Sequence, residues 1–271
     1  MLQQALDFLT DSNLIHDLLR DRPETTLETE TQFKGWTIND ILAHLHHFNE
    51  LAVMTLQDEA RFQAEFAALA QAWAKGATMR EATDAALGDL RGRALLDTWY
   101  QGCQATTQAY QSADPKHRVK WAGPDMSVLS SITARLMETW AHGQAIFDIF
   151  GADRVDGDRI RNVALLGVNT FGWTYKVRKW PVPAEMPHVE LSAPSGELWV
   201  LNAADNGNVV RGRAVEFAQV VAQTRNIADT GLHVAGDVAQ QWMQNAQCFA
   251  GPAHPPPAPG SRFKVQTTPA Q

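Results

Sequence analysis

The chain has 271 residues, 45% of them hydrophobic and 20% charged, enough apolar material for one large domain or two ordinary ones. A net charge of -7 argues against a surface built for nucleic acid or an anionic membrane, and two cysteines, Cys103 and Cys248, are too few for a disulfide framework and fit a reducing compartment. No run of about 18 apolar residues occurs and no basic segment precedes an apolar one at the N-terminus, so a cytoplasmic protein is expected.

Leu2, Leu6, Phe8, Leu9, Ile15 and Leu18 recur at helical spacing and predict a first helix ending near Arg20 to Pro23. A polar connection, Pro23 to Lys34, leads to Trp36-Thr-Ile-Asn-Asp40. Thr37 followed by Asp40 has the form of a capping box, with Asp where Glu or Gln is usual. The second helix is expected to run to about Ala74, before Gly76, with Ile41, His44, Leu45, Phe48, Leu51 and Thr55 on its buried stripe. A third is expected from about Arg80 to Tyr110, weakened by Gly88, Gly92 and Gly102, with a loop from Lys116 to Asp125 after it. A fourth spans about Met126 to Phe150 and stops at Gly151. Four helices with mostly short links make an antiparallel bundle the economical architecture, and such bundles site metals between facing helices.

The texture changes after Gly151. A polar linker, residues 152–158, marks a domain boundary, and a helix from about Arg159 to Val177 ends in the Pro181/Pro183/Pro187 segment. Strands are expected at His188 to Leu191 and Glu197 to Leu201, and the turn Asp205-Asn-Gly-Asn208 leads into Val209 and Val210. Two more helices are expected, near Ala214 to Gln223 and Ala235 to Phe249. The proline-rich tail from Pro252 to Gln271 is expected to be poorly ordered.

The predicted fourth helix is apolar nearly all round, yet Arg135, Glu138 and His142 fall within one narrow sector of it. Ionisable groups on a buried helix need partners, and a metal ion is one. Glu138 and His142 stand one turn apart and can address a single ion. His44, from another helix, would complete two nitrogens and one oxygen, which is the catalytic zinc pattern and also the facial triad of non-haem iron. Spacing alone leaves a second reading open: a histidine on an apolar stripe is more often a hydrogen-bonded core residue, and Glu138 is also placed to pair with Arg135. His46 turns away from the His44 face, while His47 lies near enough to compete with it.

Trp36-x-x-x-Asp40-x-Leu42-x-His44-Leu45 resembles the first signature of the DinB-like, mycothiol-dependent maleylpyruvate isomerase N-terminal family, and Arg135-x-x-Glu138-x-x-x-His142 resembles its second metal-binding segment. Val189 to Trp199, Gly212 to Phe217 and Gly236 to Gly251 are similar to the α+β domain, sterol-carrier-like in fold, that follows the bundle in these isomerases. The resemblance covers most of residues 1–251 and points to an uncharacterised metal-binding subgroup. It implies a four-helix bundle over residues 1–152, an α+β domain over 153–251, and a divalent ion on His44, Glu138 and His142. Zinc is the first choice, nickel or iron(II) the others.

The resemblance further implies a cleft between the domains in which the ion activates a low-molecular-weight thiol, giving a thiol-dependent isomerase or S-transferase that acts on a small molecule. Arg225 and Arg135 are then the cations available for a substrate carboxylate, with Arg135 also placed to partner Glu138 and Arg213 expected at the surface. Trp99, Trp121 and Trp173 either line the cleft or belong to the core. A metal-dependent hydrolase, for which Asp148 is the nearest spare carboxylate, and a non-catalytic small-ligand binder are the competing readings. Oligomeric state is left open.

Overall fold

A computed structural model describes residues 1–121 and 125–266. The chain divides into two compact units, Met1–Ile149 and Phe150–Gln271, against an expected boundary after residue 152. Among the described residues no helix is long and apolar enough to cross a membrane.

The first unit is helical, with α1 Gln3–Leu19, α2 Ile38–Gln57, α3 Glu59–Ala74, α4 Met79–Leu87, α5 Gly92–Gln111 and α6 Val128–Ile149. The long helices α1, α2, α5 and α6 enclose one core: α1 packs on α5 and α6, and α2 packs on the same two. Ile15, Ile41, Leu45, Leu96, Trp99, Ile132 and Trp140 are buried there. The single long second helix expected from the sequence is in fact two. Asp58 leaves helical backbone at φ -154° and its side chain accepts from the Arg61 amide, so the residue that ends α2 also caps α3. The expected third helix is likewise split, because Gly88 sits at φ 59°, a left-handed conformation that stops α4. The inserted pair α3 and α4 closes a satellite core of Phe48, Leu51, Phe62, Leu69 and Ala82.

Arg118–Val119 (β1), inside the expected loop from Lys116 to Asp125, pairs antiparallel with Met126–Ser127 (β2), which is expected to open the fourth helix; residues 122–124 lie outside the described part.

In the second unit a 3-10 turn, Asp158–Ile160, leads into α7 Arg161–Asn169 and α8 Phe171–Lys176, two helices where one is expected from about Arg159 to Val177. Strands β3 His188–Ser192, β4 Leu198–Asn202, β5 Val209–Arg213 and β6 His233–Ala235 form a sheet in the order β4-β3-β5-β6. β3 runs antiparallel to β4 and parallel to β5. Val189, Leu191, Trp199 and Val210 face inward, and α9 Ala214–Val221 packs on α7 and the sheet. β6 ends at Ala235, where a helix is expected to begin. Gly236, at φ 85°, ends it where any Cβ would collide with Asn208 and Gly207, and α10 Asp237–Met243 follows.

Residues 252–266, expected as a loose tail, form no helix or strand but are fastened. His254 accepts or donates at Nδ1 to Gln223 (3.1 Å), its amide donates to Gln247 (2.9 Å), and Gln247 in turn donates to the Pro252 carbonyl (3.0 Å). Asn226 donates to the Pro257 carbonyl, Arg262 to that of Gln223, and Lys264 pairs with Asp153.

Candidate metal centre

Two helices bring the site together, and each begins at a defined point. Thr37 and Asp40 form a reciprocal capping box: the Asp40 amide donates to the Thr37 hydroxyl (3.1 Å), and the Thr37 amide donates to the Asp40 carboxylate (2.9 Å). Asp40 is buried and also meets Arg80 at 3.6 Å and Arg91 at 3.3 Å, so one carboxylate fastens the start of α2 to α4 and to the residue before α5. His44 follows one turn later. On α6, Glu138 and His142 are one turn apart, as their spacing predicts.

His44 Nε2 stands 3.5 Å, and His142 Nε2 3.2 Å, from the same Glu138 carboxylate oxygen. The three donor atoms all lie within 4.8 Å of one another, and the group is the one cluster of three such residues among those described. His44 is 8% exposed. Burial pushes its pKa down to about 4, against an upward pull from the hydrogen bond to Glu138, so its imidazole is neutral at neutral pH. Burial acts to raise the Glu138 carboxyl, but hydrogen bonds from His142 and His44 outweigh it and hold the group well below the usual carboxylate range. One anionic oxygen and a neutral imidazole nitrogen are the protonation states a divalent ion requires.

Aromatic rings surround the two imidazoles. Trp36 lies parallel to His142 (centroids 6.0 Å apart, 9° between planes) and edge-on to His44 (5.5 Å, 64°). Phe33 stands perpendicular to His142 at 4.7 Å, and Phe48 packs on His44 at 4.7 Å. Neither Phe33 nor Trp36 was assigned to the site from sequence. Trp36 opens the first signature, and its position four residues before Asp40 was the available signal.

Arg135 is buried, and its Nε donates to Asn49 (3.0 Å) while Nη2 has no partner among the described residues. Burial lowers its pKa and the Glu138 charge raises it, so the two groups sense each other. His46 and His47 are buried outside the cluster; His46 lies beside Gly102 of α5, and His47 stands edge-on to Phe48 at 5.5 Å. Asp148 accepts from Gln144 (2.9 Å) and stands apart from the trio. Trp99 is core, and Trp121 stacks on Phe62 of the satellite core.

In the second unit, Arg225 is half-buried on the turn after α9 and donates to the Thr224 carbonyl (2.8 Å). Arg213 is exposed and paired with Glu216 (2.7 Å). Trp173 donates to the Phe249 carbonyl (3.0 Å).

A helical unit with a buried two-histidine, one-carboxylate cluster, followed by a small sheet unit, defines the class. The chain belongs to the mycothiol maleylpyruvate isomerase N-terminal domain family, whose sequence pattern matches residues 12–147. Among its relatives are uncharacterised proteins of two Mycobacterium tuberculosis strains, CDC 1551 and H37Rv. Each is 34% identical over 246 residues, spanning 91% of this chain and 95% of the relative. Its fold is similar to crystal structures of the mycothiol-dependent maleylpyruvate isomerase (16% identity, TM-score 0.50) and of a histidine-to-alanine mutant of that enzyme (14%, 0.51). Each covers 82% of this chain and 88% of the solved one.

Proposed function

We propose that this protein is a divalent-metal enzyme that uses a low-molecular-weight thiol, acting as an isomerase or S-transferase on a small electrophile. The observation that carries the reading is the spacing of the donors. Ligand atoms about 2.0–2.2 Å from a tetrahedral zinc stand about 3.3–3.6 Å from one another. The two nitrogen-to-oxygen separations of 3.5 and 3.2 Å are close to that edge length. His44, Glu138 and His142 would hold the ion, with zinc preferred for the mixed nitrogen and oxygen set and nickel or iron(II) as the alternatives. When bound, zinc lowers the pKa of a thiol as it lowers that of water, making a thiolate available near neutral pH.

The chain's own residues set the conditions for that chemistry. Glu138 would be the one anionic ligand, so a divalent ion bound there would keep a net positive charge toward an incoming anion. The Glu138 charge favours the cationic form of the buried Arg135, and we read Arg135 in turn as a support for the ionised carboxylate. Cys103 and Cys248 are both buried, and burial lifts the Cys103 thiol to about 12, so the nucleophile is brought by the cosubstrate. A thiolate that adds to a conjugated double bond converts it to a single bond; rotation and loss of the same thiolate then give the geometric isomer with the thiol regenerated. Displacement of a leaving group by the thiolate gives S-transfer instead. Mycothiol is the first cosubstrate to try, given the family, and Arg225 is the cation we assign to a substrate carboxylate. We read the four long helices as a DinB-like bundle and the second unit as sterol-carrier-like, the pairing this chemistry uses in the related isomerases.

Elemental analysis of the purified protein tests the reading, followed by trials of several small thiols, mycothiol included, with unsaturated and halogenated electrophiles. About one divalent ion per chain is expected, with loss of the ion and of thiol turnover in His44→Ala and Glu138→Gln. Metal-free protein whose His44→Ala variant matches it in stability and metal uptake would sink the proposal.

A further inference from the structure

The Nδ1 atoms of His44 and His142 are buried and have no hydrogen-bond partner among the described residues. In most metal sites the second ring nitrogen donates to a carboxylate or carbonyl, and that bond fixes the angle of the ligating ring. Neither imidazole has such a bond here, yet aromatic side chains hold both. A parallel neighbour resists rotation of the imidazole about its Cβ–Cγ bond, which Trp36 provides for His142. A perpendicular neighbour blocks the ring's sideways swing, which Phe33 provides for His142 and Phe48, at a tilt, for His44. Trp36 also reaches His44, so one indole touches ligands from both α2 and α6.

The segment that carries these rings is built to hold them still. The Thr31 amide and hydroxyl both donate to the Trp36 carbonyl (2.8 Å each), the Phe33 amide donates to the Thr31 hydroxyl (3.2 Å), and the Trp36 amide donates to the Phe33 carbonyl (2.9 Å). Lys34 and Gly35 are consecutive left-handed residues at φ 57° and 68°, and a non-glycine residue persists in that conformation only where its surroundings impose it. The next residue, Thr37, is the cap of α2, so the loop is an extension of the helix that bears His44.

We infer that Trp36 and Phe33 are positioning residues of the metal centre, whose rings fix the angle at which each Nε2 meets the ion in place of a hydrogen bond from Nδ1. This rests on the metal reading above and adds to it which residues govern affinity and geometry. The full-length protein loaded with Co2+ tests it, because the visible absorption of Co2+ reports ligand geometry and chelator competition reports affinity. Trp36→Ala and Phe33→Ala are expected to weaken Co2+ binding about 10- to 100-fold, the cost of losing a support to a ligating histidine. Their visible bands should also weaken or shift. Trp36→Phe, which keeps a ring, should lose less. Leu191→Ala, in the core of the second unit, should lower thermal stability while leaving affinity and spectrum at wild-type values. If Trp36→Ala does not fold, Phe33→Ala and Trp36→Phe carry the comparison. Wild-type affinity and spectrum in the ring variants overturn this inference alone, whereas a wild-type protein that takes up no Co2+ overturns the metal reading and this inference with it.

Discussion

At the scale of single residues, His44 links the site to stability. Its pKa of about 4 lies below the ordinary 6.5, so between those values the unfolded chain takes up a proton that the folded chain refuses. Stability from this group is complete above pH 6.5 and is lost as pH falls toward 4, by at most about 3 kcal/mol. Glu138, held well below its usual range, works in the same direction at lower pH. Urea unfolding of chelator-treated protein at pH 7 and pH 5 should show the decline, and His44→Gln should flatten it; equal slopes would refute the assignment. Cys103 gives a second expectation. Its raised pKa and full burial should leave it unalkylated by iodoacetamide at pH 8 in the native protein and reactive in denaturant, as peptide mass spectrometry would show. One-turn spacing put Glu138 and His142 on one face but left a core reading open, and only the resemblance of the Trp36–His44 and Arg135–His142 segments to a known family singled out the trio. Phe33 and Trp36 were not legible as part of the site, because their contact with His142 joins positions more than a hundred residues apart and leaves no local pattern.

At the scale of elements, glycine and capping chemistry made several ends readable: Gly151 after α6, and Thr37 with Asp40 before α2. The break at Asp58 was not readable because the apolar stripe continues across it, from Leu51 to Phe62 and Leu69, and burial alone does not distinguish one helix from two. β6 was missed for a related reason: three residues give too little alternation to outweigh the helical pattern that follows. The α2 start is the element on which the site leans. Thr37→Ala removes one half of the cap and should cost about 1 kcal/mol. Asp40→Ala removes the other half and two half-exposed ion pairs, and should cost more, on the order of 2 kcal/mol. Denaturant midpoints would check the order, and a smaller loss for Asp40→Ala than for Thr37→Ala would contradict the clamp described here.

At the scale of the whole chain, the order of a helical part and a later sheet part was readable from the change in texture after Gly151. The sheet order β4-β3-β5-β6 was not, since it depends on a parallel pairing between strands separated by a third. Because the proposed ligands come from α2 and α6, a metal bound there should stabilise the first unit by mass action, about 2.7 kcal/mol at a hundredfold excess over its dissociation constant. Hydrogen exchange followed by mass spectrometry should therefore speed up on chelation in peptides covering α2 and α6, with β3 to β5 unchanged. Uniform change across both units, or none in either, would count against a metal confined to the helical part.

The fastening of residues 252–266 bears on where this polypeptide can be shortened. The family resemblance read from the sequence extends to Gly251, which makes that glycine a natural stop for anyone trimming the gene. Gln223 and Gln247 are almost wholly inside the second unit, and their amides find partners in Pro252 and His254. Stopping at Gly251 would leave their NH2 groups on the Ala246 and Phe249 carbonyls but strip both side-chain oxygens of the His254 groups that meet them, at a cost of roughly 1–3 kcal/mol for each buried oxygen left unpaired, and would uncover the surface they close. A shortened product of that kind should melt earlier or accumulate as insoluble protein, while one ending at Gln266 should behave like the parent.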